Sequence, residues 1–442
     1  MSRIINIKKP FMALEEEEDI SFYVGPTNQG GKTYVDVVDN DIVAVHQDAN
    51  AALELSEQCC EDHTFLEDMA EMVADAAERN EELEDGVVVV LNHVLEKVQV
   101  RAGLPRKFVR RIQNLEGYDR ITKAKQAKIA LEGIMGILKW LGEMIVTIWN
   151  KVFGFFKRMF GLSGNATDKA HDKLKDVISK LKSNKELFIN PGDISGDKRL
   201  FYKSKCELDL YTACFIMDLK IDPDNKDKNK ENNDRETLSY SYDSIKAVVA
   251  KSKPIIEKAK KLDVLSVLKQ LPCLADEKTE AIFRSDTEPD LKSLKDTIIA
   301  EFLNKVFGVK ADGALLNYLK NNDTEKTNQY DYRISSPETY DACLAICKEI
   351  DKNLVRLEED DIKITGEQIA KQRVKNTENT IHTLGEDKAK HFQQVSGNVE
   401  RAISSAIANA LAFVGKLAYG ISKLATLVAD SVNEQFNAKA EK

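Results

Sequence analysis

The sequence predicts a mainly α protein: a multi-helical body with long amphipathic helices and a small N-terminal β-hairpin. Apolar residues recur at alternating spacings of four and three over 134–159 and again over 403–428, the repeat of one face of a helix. Proline and glycine are scarce, nine and 21 in 442 residues, which disfavours a loop-rich β architecture. With 43% hydrophobic and 31% charged residues, the chain can bury a sizeable core and is long enough for two or more domains.

The expected organisation runs in five parts. These are an N-terminal segment with the hairpin (1–50), an acidic helix with a basic helical element (51–115), and an aromatic amphipathic region (120–190). A mixed, mostly helical domain with a polar loop at 224–236 follows (195–335), and then a long helical C-terminal region (336–442).

The hairpin is expected from two β-rich runs, Ile20 to Val24 and Thr33 to Val38, joined by a glycine-rich loop ending Gly30-Gly31-Lys32. That loop departs from the phosphate-binding form G-x-x-x-x-G-K-[ST]. Pro26 stands six before Lys32, Gly25 is one position too far, and a strand pattern follows where a helix must begin. ATP binding is not expected. No apolar stretch follows the basic residues near Met1, so no signal peptide is expected and synthesis is placed in the cytoplasm. Seven cysteines, an odd number without framework spacing, also point to a reducing compartment.

Charge is divided unevenly along the chain. Residues 1–85 hold 22 acids and five bases, whereas the other 357 carry a net charge of +8. From Glu57 to Asp85 there are 12 carboxylates and one arginine, yet Leu53, Leu66, Met69, Met72, Val73 and Ala76 keep a helical spacing. An acidic amphipathic helix is expected here. Its carboxylates form either a solvated face or a counter-ion for the basic body. Beyond it, Arg101, Arg106, Lys107, Arg110 and Arg111 place five cations within 11 residues. They are candidates for sequence-blind contact with nucleic acid, against a solvated face or partners for the acidic leader.

The segment from Ala127 to Gly161 contains both tryptophans. Ile134, Leu138, Leu141, Ile145, Ile148, Val152, Phe155 and Met159 form the stripe, and Met135, Trp140, Met144, Trp149, Phe153, Phe156 and Phe160 widen it. A helix so broad in its apolar face must bury most of its circumference. Trp140, Trp149, Phe153, Phe155, Phe156 and Phe160 are therefore candidates for a partner or membrane face as well as for core. Lys139, Glu143, Lys151, Lys157 and Arg158 interrupt it too often for a span of about 20 apolar residues, although interfacial binding fits the cations among its last aromatics.

A charged helix is expected over 163–190, closed by the turn Asn190-Pro191-Gly192-Asp193. Further helices are expected over Tyr242 to Leu262, over Asp290 to Phe307, and after Ser336-Pro337-Glu338, with the serine as cap and the proline at the first helical position. Near the C-terminus, Ile403, Ile407, Ala410, Val414, Leu417, Ile421, Leu424 and Val428 form a heptad seam. The 14 uncharged residues between Arg401 and Lys416 are too few to span a bilayer and suit a helix pair, with self-association through 403–428 as the second reading.

No constellation for catalysis stands out. Cys59, Cys60 and His63 lack a fourth metal ligand motif, Cys343 and Cys347 have no second pair, and the six histidines are scattered. Neither an enzyme, a cofactor nor a metal is expected.

The segment Ala130-Leu131-Glu132-Gly133-Ile134, followed by Trp140-Leu141, Ile148-Trp149, Val152-Phe153 and Phe155 to Gly161, resembles the internal head proteins of large tailed bacteriophages, over about residues 50 to 162. The resemblance implies a helical virion protein packed with the genome inside the head and ejected with it. Its implied partners are capsid or other virion proteins and packaged DNA held by non-specific electrostatics. It also implies trimming by a maturation protease that favours a small or aliphatic residue two before glutamate. Ala52-Leu53-Glu54, Leu55-Ser56-Glu57 and Ala76-Ala77-Glu78 fit that pattern, and Glu57 and Glu78 are the candidate processing positions. The alternatives are a membrane-active helical protein that meets a membrane surface, and a self-associating assembly scaffold.

Overall fold

The computed structural model describes residues 34–79, 89–94, 98, 120–187, 204–206, 237–269, 298–300, 302–310, 330–335, 339–372, 375 and 386–440. The described chain is mainly α. Its main helices are α1 (Tyr34–Arg79), α2 (Arg120–Ser183), α3 (Tyr242–Lys260), α4 (Val264–Lys269), α5 (Tyr340–Asn353) and α6 (Glu386–Ala440). Three short strands, β1 (Ser204–Cys206), β2 (Thr237–Ser241) and β3 (Tyr330–Ser335), form a sheet in the order β1-β3-β2. β1 and β3 are antiparallel with Ser204 opposite Tyr332, and β2 and β3 are parallel with Ser239 opposite Arg333.

Of the expected hairpin, the first arm (20–24) and the loop lie outside the described residues. From Tyr34 the second arm runs as the start of α1, because Val38, Ile42 and Val45 continue into a helical repeat rather than an alternation. The polar loop at 224–236 and the turn at 190–193 also lie outside the described residues.

The chain divides into two compact units. Of the described residues, those within 57–145 belong to one, and those within 36–56 and from 146 onward belong to the other. In the first, the later part of α1 buries Cys59, Leu66, Met69, Val73 and Ala77 and exposes Glu67, Asp68, Glu71, Asp75 and Glu78. The buried stripe follows Val73 and Ala77 rather than Met72 and Ala76, and Met72 is 48% exposed. The early part of α2 buries Ile134, Ile137, Leu138, Leu141 and Ile145, whereas Met135 is 55% exposed. The broad face expected here is thus narrower, since Lys139 and Glu143 hold its flank in water.

In the second unit, four helices pack in directions that follow from their hydrogen bonds. Ser163 Oγ donates to the Gly415 carbonyl (2.8 Å), Thr167 and Ser422 share a bond of 2.9 Å, Lys173 reaches Asp430 (2.8 Å) and Lys180 reaches Asn433 (3.1 Å). The separation of these pairs stays between 252 and 257 residues, so α2 and α6 run parallel. Against α5, later residues of α2 meet earlier ones. Asp168 pairs with Arg356 (3.0 Å), His171 with Asp351 (2.7 Å) and Lys185 with Asp341 (3.9 Å), and Tyr340 donates to the Leu181 carbonyl, so α2 and α5 are antiparallel. Lys253 and Lys260 of α3 donate to the carbonyls of Lys352 and Arg356, which makes α3 parallel to α5. Two helices point each way.

Sequence explains the termini. Thr339, in extended conformation, accepts from the Ala342 amide (3.3 Å) and caps α5, so Thr339 takes the role expected of Ser336 and Tyr340 is the first helical residue. The helix expected at Asp290 to Phe307 is described from 298 and ends in a π-turn (Leu303–Phe307) closed by Gly308 at φ 72°. α2 continues without a break through Gly161-Leu162-Ser163-Gly164, where the sequence suggested two helices. The glycine at 164 is required by close approach, because a Cβ there would collide with the Leu357 carbonyl. The segment 354–358, which follows α5, therefore lies directly on α2.

At the centre is α6. From Ser405 to Val432 nearly every residue is buried, on all sides of the helix. Its polar side chains are matched: Asn409 donates to Ser405 Oγ (3.2 Å), Ser422 to the Ala418 carbonyl (2.8 Å), and Ser431 meets the buried Tyr242 hydroxyl (2.9 Å).

Candidate functional site

The aromatic segment is mostly core. Trp149, Phe153, Phe156 and Phe160 are buried, with the rings of Trp149 and Phe153 tilted at 5.5 Å between centroids. Trp140 and Phe155 are half-buried. Gly154 and Arg158 are among the residues on the solvent side of this stretch. A partner or a membrane could take the four buried rings only if the helix left its own core.

The C-terminal helix needs a correction of length. Over Ser404–Asn433 it is long and apolar enough to cross a membrane, and 89% of its most apolar stretch is buried inside the protein. The uncharged run of 14 residues understates this, because Lys416, Lys423 and Asp430 interrupt a much longer apolar stretch. A helix apolar on every side is either a core helix or a span, and here its environment is protein.

The five cations Arg101, Arg106, Lys107, Arg110 and Arg111 lie outside the described residues. The two candidate processing positions differ in setting: Glu57 is half-buried in the middle of α1, and Glu78 is exposed in its last turn.

Cysteine and histidine chemistry is restrained. Cys59 and Cys60 are buried, and His63 turns toward Glu67 (3.4 Å). Among the described residues no three His, Cys, Asp or Glu side chains gather as a metal site. On α5, Cys343 and Cys347 are fully buried one turn apart. The hydrogen bond with Cys347, burial and the neighbouring thiol's charge hold the Cys343 pKa far above the usual thiol range, so it remains an unreactive thiol.

A feature not anticipated from sequence is the end of α3. A cleft of about 190 Å³ there is lined by residues 259–265, by Asp361 to Ile364 and by Leu411. Lys260, which donates to the Arg356 carbonyl (2.9 Å) and pairs with Asp361 (3.6 Å), stands beside Lys261 and Lys363. The signal was available in the composition: between Asp243 and Asp263 the chain has six lysines and one acid, Glu257.

Comparison with known proteins supports the resemblance drawn from the aromatic segment. Residues 34–213 match the family described as phiKZ-like phage internal head proteins. No curated protein and no solved structure gives a significant match. The matched region includes all of α1 and α2. By its description, that family is one of proteins internal to the phage head.

Proposed function

We propose, from the match of residues 34–213 to the phiKZ-like phage internal head proteins, a non-enzymatic structural protein packed in the head with the genome and ejected with it. The family match carries this reading, and the division of charge supports it. The acids are concentrated in the leader, net −17 over residues 1–85, and the remainder, net +8, has the sign that suits packaged DNA. Other virion proteins are its protein partners.

Helix α1 distinguishes the two processing positions. A protease needs an extended segment, and Glu57 offers one only if the middle of α1 unwinds, whereas Glu78 lies in a last turn that frays readily. Cleavage therefore falls after Glu78. Mass spectrometry of purified particles tests both statements. A chain beginning near residue 79 is the expected result, a full-length chain would overturn the leader's removal, and absence from particles would overturn the packaged-protein reading.

A second reading has one observation in its favour, the length and apolar character of 404–433. On that reading α6 is delivered sheathed and enters a bilayer after ejection. Release of dye from liposomes by the refolding chain would support it.

A further inference from the structure

The lysines of α3 and its end fall into two groups. Lys246 pairs with Asp243 (2.9 Å), while Lys253 and Lys260 donate to the carbonyls of Lys352 and Arg356. Lys251, Lys258 and Lys261 are exposed, and among the described residues no ion pair or hydrogen bond engages their ammonium groups. At about 100° per residue these three lie within about 80° of one another around the helix, on the side away from the buried Ile245, Val248, Val249 and Ile256. Pro254 lies between them, and the exposed Ala247 and Ala250 continue the same side of the helix toward its start. Lys310 and Lys363, also exposed and unengaged, extend the positive surface at the end of α3. Lys258 Nζ lies 4.0 Å from the position a Cβ on Gly308 would take, two residues before Lys310, and Lys363 shares the cleft with Lys261.

We propose that this lysine face of α3 is a contact surface for the sugar–phosphate backbone of double-stranded DNA. The inference rests on the packaged-protein reading for its setting and on the unengaged ammonium groups for its chemistry. Ammonium groups held by carboxylates already have their charge matched, whereas these release counterions from DNA when they meet phosphates. From Lys251 to Lys261 the stripe runs about 15 Å along the axis, the length of four or five phosphate steps at about 3.4 Å each. Its smooth floor lets a duplex approach without a side chain that reads bases, so the contact is sequence-blind. Glu257 at the edge removes one charge. The overall charge of −9 does not oppose the contact, since 22 of the acids precede residue 86 and screening over about 10 Å makes the local sign decide. In the last turns of α2, by contrast, Lys175 and Lys182 lie among Asp172, Asp176 and, just past the helix end, Glu186.

The test is a fluorescence-anisotropy titration of a short mixed-sequence duplex with the full chain, between roughly 50 and 200 mM salt. The unmodified chain should bind with a log–log salt slope of about −3 or steeper. Lys251→Glu/Lys258→Glu/Lys261→Glu should weaken binding by at least about tenfold at the lowest salt and flatten the slope by about three. The same charge change at exposed sites, Lys175→Glu/Lys182→Glu/Lys348→Glu, should alter binding by no more than about twofold. No binding by the unmodified chain, no effect of the α3 substitutions, or equal losses in both variants would overturn the surface. Those results are separate from the particle analysis: a chain found in heads whose binding ignores α3 overturns the surface alone, and a chain absent from heads that binds through α3 overturns the packaging alone.

Discussion

Helices α2 and α6 carry the same alternation of four and three in their apolar residues, and the protein uses them differently. α2 has Lys151, Lys157, Arg158, Lys169 and Lys175 on its remaining faces, and it serves as a wall with one side in water. Its partner has Ala406, Ala408, Ala412, Ala418 and Ala425 in those positions, and it is enclosed on every side. The stripe decides that a helix packs. What stands off the stripe decides whether it becomes wall or centre.

Substitutions off the stripe give the sharpest test. Ala412 is fully buried yet lies outside the heptad seam, so Ala412→Glu strands a charge in the core and should cost on the order of 5 kcal/mol, read as loss of the cooperative urea transition. A mild effect would show that this side of α6 is solvated. On the buried face of α2, Phe156→Ala should cost about 4 kcal/mol through the cavity left behind, measured by the same titration. Gly164→Ala is smaller by volume, but its new carbon meets a backbone carbonyl, and a loss of about 2 kcal/mol is expected. A neutral result would place segment 354–358 further from α2. The least change, and the only gain, is expected at Gly154, which is exposed with open space around it. Gly154→Ala should raise stability by about 0.5–1 kcal/mol from helix propensity; destabilisation would mean that this face is covered.

Much of this was legible in the sequence. The two heptad stretches pointed to both long helices, the helix expected to end at Phe307 closes there on Gly308, and the thiols of Cys343 and Cys347 share one helix face as their spacing requires. The continuity of α2 was not legible, because Gly161 and Gly164 read locally as a break and their reason is a segment about 190 residues away. Nor could periodicity alone distinguish Met135 and Met72, both exposed, from the buried residues beside them. The lysine face of α3 was missed for another reason. Six lysines in one short stretch look like ordinary solvation until the pairing of three of them singles out the other three.

The parallel pairing of α2 with α6 has a consequence for biosynthesis. Ser163, Thr167 and Lys173 meet partners that are made more than 250 residues later, which at about 5–20 residues per second leaves the apolar flank of α2 uncovered for roughly 10–50 s of translation. During that interval α3 and α5 can gather against it, but the central helix is still missing. Premature termination before residue 404 would thus release a sheath without its contents, a species prone to aggregate rather than a smaller folded protein.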